Sequence, residues 1–223
     1  MKFDLRSRSK LTRRDLDRFP SDSLFDKVGR VVCEASCLPR KELYEAWEVA
    51  RRARRRFRGG SVVDLACGHG LLAHVMLLLD MTATTAVAAD KALAPSAVKI
   101  AAAMSEAWPQ LAGRVTLAPL AIADVKLTSV DVVVSAHACG GLTDEVLTHA
   151  IAARARVVVL PCCHDDRESD TGGMTGWCDK ALAIDTTRAG RLRAAGYSVY
   201  TQLIPEEITP KNRLLLGEPT KTP

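Results

Sequence analysis

From residue 60 onward, short apolar, β-rich runs alternate with helical stretches, and this alternation leaves few folds open to the chain. The runs fall at 61–66, 83–89, 115–120, 130–136, 156–160, 197–204 and 213–217. Between most of them the pattern predicts helices, at 71–79, 95–108, 143–153 and 177–195. Parallel strands need long crossover connections, and helices supply them. The expected core is therefore an α/β, doubly wound, mostly parallel sheet with helices on both faces. The last two runs are joined only by "PEEITPKN", too short for a helical crossover, so they pair antiparallel.

Residues 1–59 read as a helical extension, 60–217 as the main domain and 218–223 as a frayed tail. Two short helices are expected around "SDSLFDKVGRVVCEAS", and a longer one over "PRKELYEAWEVARRARRRFRGG". Pro39 suits the first turn of that helix, and Gly59 with Gly60 suits its end. Leu43, Ala46, Trp47, Ala50, Ala53 and Phe57 recur at helical spacing and define its packed face. Arg51, Arg52, Arg54, Arg55, Arg56 and Arg58 occupy mainly the other faces and are expected in solvent. Residues 1–60 hold 17 lysines and arginines against 9 acids, whereas the remainder holds 14 against 17. A basic leader on a slightly acidic body suits a polyanion such as RNA, met through the helix at 40–58; a merely solvated face is the alternative.

"VVDLACGHGLLAHVM" (62–76) passes from buried strand to helix through two glycines. Gly68 and Gly70 permit positive φ and close backbone approach, and the helix that follows offers free N–H groups to a ligand. Alone, "GHGLLA" also satisfies the dinucleotide fingerprint G-x-G-x-x-G/A. Three features point elsewhere. Asp64 sits within the strand, where a dinucleotide site is normally apolar. Asp90 closes the next strand ("AVAAD"), placed to hold ribose hydroxyls. No second domain remains to carry a nicotinamide enzyme's substrate.

Taken together, "VVDLACGHG", "VAAD" and "DVVVSAHACGGLTD" resemble the class I S-adenosylmethionine methyltransferases over roughly residues 60–217. The resemblance implies a Rossmann-like, seven-stranded sheet with an antiparallel last strand. It implies S-adenosylmethionine as cofactor, with its methionine portion near Asp64 and the loop Ala66, Cys67, Gly68 and Gly70. Asp90, beside Lys91, would hold the ribose; the neighbourhood of Ile122 and Asp124 would flank the adenine, and Ala136 would line the site.

"HACGGLTDEVL" (137–147) and "LPCCHDD" (160–166) each follow a strand, so both belong to the ligand edge of the sheet. Their pairing is similar to a methyltransferase subset with an H-x-C-G-x-x-T-D segment and a later Cys-Cys-His. That subset includes methyltransferase-like proteins and tRNA acceptor-stem 2′-O-methyltransferases. The chain is much shorter than the tRNA enzymes. Methyl transfer is an in-line displacement in which positioning does much of the work, and a hydroxyl or protonated amine acceptor also needs a base. His137, Asp144 and His164 are the expected catalytic residues. For His137 the alternative is a hydrogen bond to backbone, and for Asp144 a helix cap.

Cys139, Cys162, Cys163 and His164 raise the question of zinc. Neighbouring cysteines leaving a strand point in opposite directions and no C-x-x-C pair is present, so no metal is expected. The polar, glycine-rich "DDRESDTGGMTGW" reads as a loop over the acceptor, with Trp177 anchoring the next helix. Aromatic residues make up only 4%, leaving few stacking platforms for bases. A charged N-terminus without a leader's apolar segment and an odd number of cysteines, seven, fit a reduced, cytoplasmic setting. No membrane partner is expected. The leading reading is a methyltransferase acting on RNA, either tRNA or rRNA. A small-metabolite or protein-side-chain methyltransferase, and a non-catalytic cofactor-fold binding protein, stay open beside it.

Overall fold

A computed structural model describes residues 3–220. Its sheet contains β1 (Val62–Leu65), β2 (Ala86–Ala89), β3 (Val115–Ala118), β4 (Val132–Ser135), β5 (Arg156–Val159), β6 (Tyr197–Leu203) and β7 (Arg213–Pro219). Their order is β3-β2-β1-β4-β5-β7-β6. The first five run parallel, while β7 lies antiparallel between β5 and β6. This is the expected Rossmann-like sheet with its antiparallel finish. The order reverses between β1 and β4, and that switch opens a crevice at the carboxyl edge of the strands.

Alternation along the strands sends residues to two cores. Val62, Val132, Val134 and Val158 face one side, with helices α1 (Leu24–Ala35), α2 (Arg40–Arg56), α3 (Leu71–Leu79) and α4 (Pro95–Ala107). Val63, Val133, Val157 and Val159 face the other, with α5 (Gly141–Ala152) and α6 (Lys180–Ala194). Burial on both faces explains why these strands read as nearly continuous Val and Ala rather than as alternating apolar and polar residues. Helix α2 packs Ala46, Val49, Ala50, Ala53 and Phe57 into the first core.

Several details depart from the sequence reading. Arg54 is not in solvent: it is 2% exposed, pairs with Asp80 at 3.3 Å and donates to the carbonyl oxygens of Met76, Phe57 and Gly59. A turn ending at Gly59 leaves carbonyls facing inward, and a guanidinium with five donors satisfies them. Arg52 reaches Glu48 and the Leu203 carbonyl, and Arg56 reaches Glu218 and Tyr200. Most of the basic face is thus engaged with the protein itself; Arg55, Arg56 and Arg58 are exposed as expected, although Arg58 also donates to the Leu79 carbonyl at 3.1 Å. One helix replaces the two short ones expected near residues 21–36, preceded by a 3-10 turn at Arg13–Arg18. Helix α6 begins at Lys180, capped by Asp179, and Trp177 anchors nothing, being 92% exposed. Strand β7 extends to Pro219, two residues into the expected tail, and residues 221–223 lie outside the described part. Among the described residues no helix is long and apolar enough to cross a membrane.

Candidate functional site

The glycine loop leaves β1 through three positive-φ residues: Ala66 (52°), Gly68 (55°) and Gly70 (69°). Glycine accepts that conformation freely, whereas alanine does so at a cost of about 1–2 kcal/mol. A β-carbon added at Gly68 would lie 3.6 Å from the His137 ring, so loop and imidazole are in near contact. The Asp90 carboxylate reaches back from the end of β2 to accept from the Gly68 N–H at 3.1 Å and from the Ala92 N–H at 3.2 Å. Gly68, Asp90 and His137, read from three separate segments, therefore meet at the switch between β1 and β4.

Asp64 lies beneath this loop, 1% exposed. Neither of its oxygens makes a well-formed hydrogen bond to the described residues. Burial pushes it up to about 8, only partly offset by the backbone amide of Ala73 and reinforced by the charge on Asp90. A buried carboxyl with open bonding capacity under a glycine turn is a receptor for a cationic or hydrogen-bonding ligand. The residues present thus fit the ammonium and ribose ends of S-adenosylmethionine. A cavity of about 900 Å³ between the turn Ile122–Asp124 and the start of α5 is lined by Ile122, Ala123, Cys139, Leu142 and Asp144. It adjoins the neighbourhood expected to flank an adenine. Ala136 is buried just beyond β4, whereas Lys91 and Asp124 have exposed side chains. The Cys67 thiol is 2% exposed within the first core, so this residue offers the loop its backbone and the core its side chain.

The three residues expected to be catalytic are divided. His137 is partly buried, its side chain 28% exposed, and its Nε2 lies 3.8 Å from Glu42 Oε2. Burial, then the nearby charges of Lys41 and His69, lower it to about 4, so the ring is neutral near pH 7. Asp144 is already occupied. It accepts from Arg188 and Arg191 at 2.7 Å each and from the Ser169 hydroxyl at 3.0 Å. His164 is 3% exposed and bonds Asp185 at 2.8 Å, which in turn binds Arg188 and Arg213. Asp144 and His164 belong to one ion network tying α5, α6, β7 and the β5 exit together. Neither the catalytic role expected of Asp144 nor its alternative, a helix cap, requires this pairing; Arg188, itself 1% exposed, requires anionic partners.

Glu42, from the first turn of α2, and His69, from the glycine loop, were not visible as site residues in the sequence. Glu42 Oε2 lies 3.2 Å from His69 Nε2, and His69 Nδ1 bonds the Ser96 hydroxyl. Burial, then repulsion from Glu45, pushes Glu42 up to about 7. Its helical spacing gave no hint, because Glu42 reads as an ordinary acid at a helix start. One turn along α2, Lys41 pairs with Glu45 at 2.6 Å.

A model of a methyltransferase domain matches residues 41–169, more than half of the chain. Among solved structures, an O-methyltransferase family protein from Burkholderia thailandensis is similar at 21% identity and a TM-score of 0.55, over 97% of this chain and 66% of that one. The ribosomal protein L11 methylase of Lactobacillus delbrueckii subsp. bulgaricus follows at 15% and 0.51, over 79% and 77%. The B. subtilis tRNA methyltransferase TrmK stands at 14% and 0.52, over 78% and 66%. The chain thus spans just under two thirds of the first and third. At such identities the likeness is one of fold. No curated protein matches the chain.

Proposed function

Since this chain belongs to the family of that methyltransferase-domain model, we propose that it transfers a methyl group from S-adenosylmethionine to RNA. The observation that carries the proposal is the meeting of the Gly68 loop, Asp90 and the His137–Glu42 pair at the switch in strand order. When bound, the cofactor would supply a methyl group made electrophilic by its sulfonium. The backbone of residues 66–70 and the carboxyls of Asp64 and Asp90 would hold its two ends. His137, neutral and half-open, orients the acceptor hydroxyl or amine and takes its proton. Glu42, poised near 7, receives that proton from the imidazole or shares it with His69; a group titrating near the working pH suits that task.

The RNA reading rests on charge. Residues 1–60 carry 17 lysines and arginines against 9 acids, and Arg8 and Lys10 belong to this basic leader, which suits phosphates flanking a reactive nucleotide. The arginines of the helix at 40–58, where this role was first expected, are mostly engaged within the protein, and Lys41 of the same helix pairs with Glu45. The fold itself does not choose the acceptor, because neighbours named for O-methyl, ribosomal-protein and tRNA chemistry score alike. Two measurements test the proposal. Calorimetry with S-adenosylhomocysteine should show binding in the parent and a loss of at least 100-fold in Gly68→Val; equal affinity in both overturns the cofactor site. Labelled S-adenosylmethionine should mark the RNA fraction of a cell extract, less so for Arg8→Glu/Lys10→Glu; label confined to protein or small molecules overturns the acceptor.

A further inference from the structure

At the border of the site just described, three thiols converge. Cys139, from the loop after β4, and Cys162 and Cys163, from the exit of β5, place their sulfurs within 4.8 Å of one another. The Cys139 and Cys162 sulfurs are 2.9 Å apart, and those of Cys162 and Cys163 are 3.9 Å apart. Neighbouring cysteines diverge only while the chain stays extended in a strand. Here β5 ends at Val159 and Pro161 precedes the pair, so the backbone leaves strand geometry and both side chains turn to the same point. This reverses the expectation that their adjacency rules out a shared ligand.

Burial does not account for the cluster. Cys33, Cys37 and Cys67 are buried and pack as small apolar side chains, whereas Cys139 and Cys163 are exposed and Cys162 is partly so. Three free thiols from two loops, gathered at an open edge, form the donor set of a thiophilic cation. A tetrahedral zinc with sulfur at about 2.3 Å holds its sulfurs about 3.8 Å apart. The distances here bracket that value. His164, next in sequence, is turned away to Asp185, which leaves a fourth position facing solvent and the cavity that Cys139 borders.

We propose that Cys139, Cys162 and Cys163 bind one divalent d10 cation of the zinc class, with an open fourth position, and so clip the β4 exit to the β5 exit. Binding displaces three thiol protons to solvent and involves no change of oxidation state, so affinity rises steeply with pH. Three thiolates leave the site with one net negative charge when zinc is bound. The proposal stands whether or not the methyltransferase reading holds.

The test uses the full chain, reduced and kept under nitrogen. Zinc added to it should remain at one ion per chain after dialysis, and cobalt in its place should give a thiolate-to-metal charge-transfer band with tetrahedral visible absorption. Cys139→Ser and Cys162→Ser should each weaken binding at least tenfold, and Cys178→Ser should not. Because a serine variant can fail to fold, thiol alkylation of the parent, read by mass spectrometry, provides a second measurement. Zinc should protect Cys139, Cys162 and Cys163 selectively while Cys178 reacts as before. No retained metal, alkylation indifferent to zinc, or a Cys139–Cys162 disulfide whose reduction restores no zinc binding overturns the proposal.

Discussion

Two histidine–carboxylate pairs stand at the carboxyl edge of this sheet, built from the same residue types and carrying opposite properties. In the first, His137 faces Glu42 and His69 at an open mouth. In the second, His164 faces Asp185 in a nearly closed network. No arginine fork grips Glu42, so burial prevails and the acid rises to about 7. Burial also raises Asp185, yet hydrogen bonds from His164 and Arg213 outweigh it and hold that acid below its ordinary value. Ion partners turn the second pair into a cross-link, whereas among the described residues Glu42 has only His69 and His137 within ion-pair distance. A histidine near an acid is therefore no sign of catalysis until the cations around it are known.

The most damaging way to probe this contrast is Arg188→Met, which leaves Asp144 and Asp185 without their buried partner. It should lower stability by about 3–5 kcal/mol, read by denaturant unfolding. A loss below about 1 kcal/mol would mean the network is ornamental. His137→Ala should cut kcat about 100-fold, roughly 2.7 kcal/mol of barrier, with little change in melting temperature. An unchanged kcat would return the acceptor's proton to another group. Glu42→Gln should cost about tenfold in kcat and remove the pH dependence near neutrality. The sign follows from the role: Glu42 must be ionised to receive a proton, so the parent's rate climbs as pH rises through about 7. A parent profile that falls over that range contradicts the assignment. His69→Gln should do least, moving the midpoint of that profile by less than about one unit with kcat within roughly twofold, as measured by pH–rate profiles. A larger effect would make His69 the acceptor's partner and Glu42 its orienter.

Much of the architecture was legible along the chain. Val- and Ala-rich strands buried on both faces, helices between them and an eight-residue final connection specify a parallel sheet with an antiparallel finish. The glycine loop and Asp90 were legible too, because a strand–glycine–helix turn and an acid closing the next strand are local signatures. Glu42 was not, since its neighbours His69 and His137 lie 27 and 95 positions away. Asp144 and His164 carried the right chemistry in the right loops, but their partners Arg188, Arg191 and Asp185 come from α6, far along the chain. Arg54 fails for the same reason: helical spacing assigns it a face but does not know that Asp80 and three inward carbonyls wait there.

What the sequence by itself determined is the order of strands and helices and the loop that turns at Gly68, because backbone geometry and apolar periodicity act over a few residues. Only the tertiary structure decided which charges are free, since that depends on counterions and solvent brought together from distant segments. The three sulfurs at the β4 and β5 exits belong to the same class of fact: their identities were plain in the chain, and their convergence was made by the fold.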